Sequence, residues 1–538
     1  MVEVETPHDS FRKFFTHPVL QGCVLVALAT IVAFVIQVPD RFPDPDSFYH
    51  AGMAELAASG TFPQTFPWLD LTVLRDRYAD LHFLYHLILV PFIHFFGPMS
   101  GIQIATGAAS VLLTLAWFIA LRCLRVRGAL FFTLLLLGSA AFLFRIHLAK
   151  AQGFALIVLA IGIAVVLRRS TLGAFLAAAF AMWLSPHWPV LAVVTAAFAL
   201  THAITTIVGA PRAWRAILCS FKESSVIVLS VALGFAAGLI VNPYFPLDAA
   251  ITKIQLVDVA LRVGTNAVPA GIEWNALPWH ELFGAIGFLI PLIILAFAGM
   301  IAGAIQLTRR EEIDDRDYLA RTLALGIAAA TFVLLAHEQQ RQIEFAIPLL
   351  VAFVAVGIQP IVTWMWPPRL QVGWRRPGMV RRPIFTALLV VAFLGFVAGG
   401  ARTVLAQREY YATGYPATYL RNAAVWLREQ APADAIVYYA NWGAFPPLFL
   451  WNRQQRYLVG LDPRFAVLAD AEKTRLWLAI GRGEIPKPAR TIAEHFGATY
   501  ALVLINEPLD TLLATDRRAK LAHEDAEAKV YQLEGARP

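Results

Sequence analysis

Charge is what this sequence has least of. Only 15% of its 538 residues are Asp, Glu, Lys or Arg, against about a quarter in soluble domains. That shortage excludes an ordinary cytosolic enzyme, a disordered chain and a nucleic-acid-binding tail protein. Cysteine is nearly absent. Cys23, Cys123 and Cys219 all lie in or beside apolar segments, so no disulfide framework can be read. The first apolar block, near 18–38, is long enough to span and lacks a small-residue cleavage site, so no cleavable signal peptide is expected. There is no internal repeat and no low-complexity tract. No GxGxxG follows a strand, which leaves a dinucleotide site unsupported.

What remains is apolar. Hydrophobic residues make up 58% of the chain, and the mean hydropathy is +0.61. They come in long blocks, which means membrane. Eleven blocks are long enough to cross, near 18–38, 100–121, 128–145, 152–167, 171–185, 188–209, 225–242, 282–307, 319–336, 345–366 and 384–405. A further stretch, 81–97, holds His82, His86, His94 and Pro91 and ends in Gly97-Pro98. The positive-inside rule decides its place. Arg12 and Lys13 put the N-terminus inside. If 81–97 is a half-buried helix on the outer surface, five basic loops fall inside together: 122–127, 168–169, 212–222, 309–316 and 369–382. The net charge of +7 therefore sets orientation and is not affinity for nucleic acid.

The segments 39–99, 146–151, 185–187, 243–281, 337–344 and everything after about 407 then lie outside. The tail mixes charge with short apolar runs. A helix is expected over 416–430, and further helical stretches near 467–481 and 489–496. Strands are expected at 435–439 and 500–505. The expected fold is a polytopic α-helical membrane core over 1–406, followed by a soluble α/β domain over 407–538.

Chemistry concentrates outside. Asp44-Pro45-Asp46-Ser47-Phe48-Tyr49-His50 follows the first span directly. Pro43 and Pro45 stop the membrane helix, and Asp46 or Ser47 is placed to cap a new one. His50 lies one turn beyond Asp46. Two carboxylates and an imidazole can bind a divalent cation or deprotonate a hydroxyl acceptor; a capped surface helix with solvated acids is the plainer reading. Arg145 and Lys150 flank the turn 146–151. They suit a lipid phosphate, or snorkel to anchor helix ends. Glu273, beside Trp274, stands in a stretch with few other acids. His337-Glu338-Gln339-Gln340-Arg341 is not a zinc peptidase helix, because Arg341 stands where the second His is needed. Arg341 suits a phosphate, or a bridge to Glu338 or Glu344. Ser185-Pro186-His187-Trp188 reads as an interface belt. Asn441, Trp442 and Asp462 fit either a groove facing the membrane site or an aromatic core.

An Asp just after the first span, leading into a surface helix, resembles the GT-C class of membrane glycosyltransferases. The stretch Asp46-Ser47-Phe48-Tyr49-His50 is similar to one in oligosaccharyltransferase catalytic subunits, protein mannosyltransferases and aminoarabinose transferases. The surface helices, the many-span core and the outside tail extend the likeness over most of the chain. The resemblance implies a polyprenyl-phosphate or diphosphate sugar donor and a saccharide, lipid or protein acceptor. It also implies residence in the plasma (inner) membrane, with the N-terminus cytoplasmic and the tail domain extracytoplasmic. Asp46, supported by Asp44 and Glu273, would be the general base or the metal-anchoring acid. A divalent cation (Mg or Mn) would sit on Asp46 and Glu273. His50, Arg145, Lys150, Arg341 and Trp442 would bind substrate. Oligosaccharyltransferases carry a second DxD in the next outside loop; here Arg145 to Gln152 contains no acid. Of their Trp-Trp-Asp motif, only Trp442 is matched. Two other readings stay open: a transporter or flippase of lipid-linked saccharide, and a non-catalytic scaffold with an outside partner-binding domain. Transporters usually bind near the midplane between repeats, whereas the polar groups here gather at the outer surface.

Overall fold

Every apolar block folds as a helix, because only an internal hydrogen-bond ladder satisfies a backbone in lipid. The computed structural model describes residues 17–209, 214–263, 268, 271–310, 313–365 and 382–534. Arg12, Lys13, Arg212 and the arginines from 369 to 381 lie outside the described residues. From the N-terminus, α1 (Pro18–Ile36) leads to α2 (Asp46–Ala58) and α3 (Phe83–Phe96). The core continues with α4 (Pro98–Cys123), α5 (Ala129–Leu137), α6 (Ala140–His147), α7 (Gln152–Leu167), α8 (Thr171–Leu184), α9 (Pro189–Gly209) and α10 (Trp214–Val241). After α11 (Leu247–Lys253) come α12 (Trp279–Ile286), α13 (Ile290–Arg310), α14 (Ile313–Glu338), α15 (Ile343–Gly357), α16 (Gln359–Met365) and α17 (Arg382–Ala412).

Among the described residues, seven helices are long and apolar enough to cross a membrane. The pair α5 and α6, bent by 75° at Gly138-Ser139, makes an eighth. At 16 and 14 residues, α7 and α8 are too short to cross alone, because a crossing needs about 20. The helices expected at 46–60 and 81–97 are present as α2 and α3.

The helix α15 is apolar on all sides and buried on all sides, as a helix at the centre of a bundle must be. Helices α13, α14 and α6 pack against it. The rim helices do the reverse. Phe34 on α1, Ile240 and Val241 on α10, and Ile294 on α13 are largely exposed. Continuous apolar faces of this kind belong against lipid.

A two-residue antiparallel pair, β1 (Arg41–Phe42) with β2 (Tyr415–Pro416), ties the first loop to the end of α17. Beyond it lie α18 (Arg421–Gln430), β3 (Ile436–Tyr438), α19 (Phe445–Trp451), β4 (Arg456–Tyr457), α20 (Arg464–Ala469), α21 (Ala471–Gly481), α22 (Pro488–Phe496), β5 (Tyr500–Leu504), α23 (Pro508–Thr515), β6 (Ala519–Glu524) and β7 (Ala528–Leu533). The sheet order is β4-β3-β5-β7-β6. Strands β4, β3 and β5 are parallel; β7 and β6 close the sheet as an antiparallel hairpin. The parallel strands β3 and β5 match the sequence reading. The hairpin went unread because β6 is Ala-Lys-Leu-Ala-His-Glu, with little of a strand's composition.

The loop between α1 and α4 and the sheet domain pack together. Asp70 N–H donates to the Tyr457 carbonyl at 2.7 Å. Arg456 pairs with Asp70 at 2.8 Å and Arg453 with Glu55 at 2.5 Å. Helix α2 lies against α19 so closely that a Cβ on Gly52 would stand 2.9 Å from the Phe449 ring. Gly52→Val should therefore destabilise this junction by about 1–3 kcal/mol. Thermal unfolding in detergent would read that as a lowered midpoint; an unchanged midpoint would contradict the packing.

Candidate active site

Five chain segments converge where α2 begins. The cap at that end differs from expectation. Asp44 Oδ1 accepts the Asp46 N–H at 2.8 Å, and Ser47 Oγ donates to the Asp44 carbonyl at 3.0 Å. Asp44 holds the turn, so the Asp46 carboxylate is free to point elsewhere. The second segment is the turn after α6. Ser139 Oγ caps α6 by accepting the Phe142 N–H. Arg145 falls in the last turn, and Lys150 in a tight bend where its N–H donates to the Leu148 carbonyl. Glu273 lies on a single helical turn, Ile272–Trp274. Arg341 lies on another, Gln340–Gln342, which leads into α15 and Glu344. The fifth segment, Leu461 to Arg464, comes from the sheet domain.

At the centre is an ammonium. Lys150 Nζ lies 2.7 Å from Asp44 Oδ2, 2.8 Å from Asp46 Oδ2 and 3.9 Å from Glu273 Oε2. Arg145 donates to Glu273 at 3.0 Å and to Glu344 at 2.8 Å. Arg341 stands 3.7 Å from the other Glu273 oxygen and donates to His187 Nε2 at 2.7 Å. Trp274 is gripped by two guanidinium groups, Arg341 at 4.6 Å and Arg464 at 4.0 Å from the ring centre. Arg464 is itself held by Asp462 at 2.6 Å.

Burial divides the acids. It pushes Asp46 up to about 6, against the pull of Lys150 and with help from Asp44. Burial also acts on Glu273, but Lys150, Arg341 and Arg145 outweigh it and hold that carboxyl well below the usual range. Burial disfavours the charge on Lys150, yet Asp44, Asp46 and Glu273 prevail and hold its ammonium well above the ordinary lysine value. One carboxyl can thus trade a proton near neutrality, while its neighbour stays ionised.

Two hollows meet at this cluster and share Asp46, Lys150, Glu273, Trp274 and Arg341. The larger, about 680 Å³, runs past Phe144, Leu277, Ile343, Tyr410 and Trp442. The smaller, about 150 Å³, is lined by Tyr49, His50, Tyr78, His82, Gln152 and His187. His50 heads a buried chain: its Nδ1 is 2.8 Å from His86 Nε2, and His86 Nδ1 is 2.5 Å from Asp80 Oδ2.

The structure therefore brings Asp44, Asp46, Lys150, Glu273, Arg145 and Arg341 into one cluster. His50 and Trp442 line the adjoining hollows. Neither Glu338 nor Glu344 partners Arg341; Glu273 and His187 do, and Glu344 takes Arg145 instead. His187, from the segment read as an interface belt, is a wall of the smaller hollow. Asn441, Trp442 and Asp462 line the larger hollow. Asp80, His86 and Arg464 went unread. The one signal in sequence was three histidines inside a short apolar stretch, since buried polar groups need partners.

A divalent cation on Asp46 and Glu273 does not fit these residues. The carboxylate oxygens that would ligate it already face the Lys150 ammonium and two guanidinium groups. Among the described residues, no group of three or more His, Cys, Asp or Glu is arranged to hold a metal ion.

No protein-family model and no curated protein sequence matches the chain. Solved structures do. The oligosaccharyltransferase of Archaeoglobus fulgidus in the apo form superposes with a TM-score of 0.58 at 12% identity, over 92% of this chain and 70% of that one. ArnT from Cupriavidus metallidurans bound to undecaprenyl phosphate gives 0.52 at 16% identity, over 95% of this chain and 97% of that one. The arabinofuranosyltransferase AftD from Mycobacteria gives 0.53 at 15% identity, over 96% of this chain and 40% of that one. With its many apolar helices and small terminal sheet, this multi-pass membrane protein has the fold of the GT-C glycosyltransferases.

The buried pair yields a stability test. Glu344 is fully buried and Arg145 nearly so. Arg145→Met should cost about 3–5 kcal/mol by stranding the Glu344 charge. Adding Glu344→Leu should recover most of that loss in thermal unfolding. Equal midpoints for the single and double variants would contradict the pairing.

Proposed function

We propose that this protein is an inverting membrane glycosyltransferase. It moves a sugar from a polyprenyl-phosphate carrier to a hydroxyl of a saccharide, lipid or protein acceptor, on the extracytoplasmic face. Residues 1–406 are the catalytic core and 407–538 the extracytoplasmic domain, with α17 carrying the chain across that boundary. One observation carries the reading. A carboxyl whose pKa burial raises to about 6 pairs with the Lys150 ammonium where two hollows meet, with Arg145 and Arg341 held beside it by Glu273, in a fold whose neighbours include a structure bound to undecaprenyl phosphate.

The larger hollow, with its apolar wall, suits the lipid phosphate donor; the smaller polar one suits the hydroxyl acceptor. Ionised Asp46 takes the acceptor proton. The acceptor oxygen attacks the anomeric carbon from the face opposite the phosphate, and the carbon–oxygen bond to phosphate breaks. The lipid phosphate departs carrying the electron pair. Its new charge is met by Lys150, Arg341 and Arg145. Protonation of Asp46 removes one of the carboxylates that held Lys150, so the ammonium turns to the phosphate as the charge develops there. Arg145 Nη2 and Arg341 Nε are buried donors with no protein partner among the described residues. Asp44 fixes the turn, and Trp442 borders the donor.

Sidedness rests on charge. Helix α7 begins two residues after Lys150 and ends just before Arg168–Arg169, so that basic pair lies at the end of α7 away from the cluster.

Asp46→Asn should lower transfer from a radiolabelled polyprenyl-phosphate sugar by about 10²–10⁴-fold. Because the base works ionised and burial raises its pKa to about 6, kcat/KM should climb about tenfold per pH unit below that value and level off above it. A folded Asp46→Asn protein with full transfer would defeat the mechanism.

A further inference from the structure

We infer that Lys150 is a resident cation, built into the carboxylate cluster where a divalent ion would otherwise bind, and that sugar transfer by this chain proceeds without such an ion. The second half of that statement rests on the function proposed above; the first does not.

Three features carry it. Lys150 Nζ is within 2.7 to 3.9 Å of carboxylates from two segments far apart in sequence, Asp44 and Asp46 on one and Glu273 on the other. Its side chain is only 7% exposed. Its backbone is pinned by the bond to the Leu148 carbonyl and flanked by buried Ala149 and Ala151. Two further oxygens of the cluster are also committed. Asp44 Oδ1 accepts the Asp46 N–H, and Glu273 Oε1 faces Arg341. A divalent ion takes about six or more oxygen ligands with most of its charge matched by carboxylates. Here Lys150, Arg145 and Arg341 face Asp44, Asp46, Glu273 and Glu344. A dication would add two charges to a set that is already close to balance, and would meet the ammonium at contact distance. The position also has a sequence signature: the turn that carries Lys150 has no acid.

The ammonium and a divalent ion should therefore compete for the same oxygens. Mn²⁺ binding to the purified full-length protein in detergent, followed by electron paramagnetic resonance, tests this. Wild-type protein should bind no stoichiometric Mn²⁺, and its transfer should be unchanged by excess EDTA or by Mn²⁺ added afterwards. Lys150→Ala should bind Mn²⁺ at least about 10-fold more tightly than wild type, since a like charge at contact distance has gone. Adding Asp46→Asn should remove that gain. Stoichiometric wild-type binding that Asp46→Asn abolishes would overturn the inference. So would a Lys150→Ala protein that elutes as a single folded species and binds no Mn²⁺. Should Lys150→Ala fail to fold, the wild-type titration decides alone. Absence of transfer from any polyprenyl-phosphate sugar would count against the proposed function and leave the binding result standing.

Discussion

A buried ammonium among carboxylates is the constraint on which this site depends. Lys150 cannot stay charged at its depth without Asp44, Asp46 and Glu273. Those acids in turn come from the loop after α1 and from the long loop before α12. The one group thus dictates how the α6–α7 turn, the start of α2 and the Glu273 turn must sit together. Arg145 and Arg341 extend the same logic to α15, the most enclosed helix of the core. The membrane bundle and these loops are joined through charge, at the place where two hollows meet.

The sheet domain completes the enclosure. Trp274 lies between Arg341 from the core and Arg464 from the domain, and a guanidinium over an aromatic face is attractive, most of all when desolvated. Glu273 is the residue before Trp274. Gripping the ring therefore positions the carboxylate that helps hold Lys150. The domain contributes to the site by fixing this turn, as well as by lining the larger hollow with Trp442 and Asp462.

Much of this was legible in the sequence. Apolar length located the helices of the core, although two of the expected spans, α7 and α8, are too short to cross alone and 128–145 is the bent pair α5 and α6. Charge in an otherwise apolar chain singled out Asp44, Asp46, Arg145, Lys150, Glu273 and Arg341, because each needs a reason to be there. Their pairings were not legible. Arg145 and Glu344 are 199 residues apart, and only the topology of the bundle makes them neighbours. The Asp80–His86–His50 chain was hidden for a related reason. A histidine in an apolar stretch reads the same whether it lines a cavity or faces a headgroup. The expected metal came from the acids of the first loop and from family likeness, and Lys150, in a turn without acids, was read as a phosphate ligand or a snorkelling helix anchor. Its competing role, as partner to the acids, needed distances.

The most direct test of the central claim is a structure determined with a polyprenyl-phosphate sugar analogue bound. The account predicts phosphate density within hydrogen-bond reach of Lys150 and Arg341, at the junction of the two hollows, with the sugar toward Asp46. Phosphate seated on other residues, or a lipid entering from the opposite end of the bundle, would contradict it.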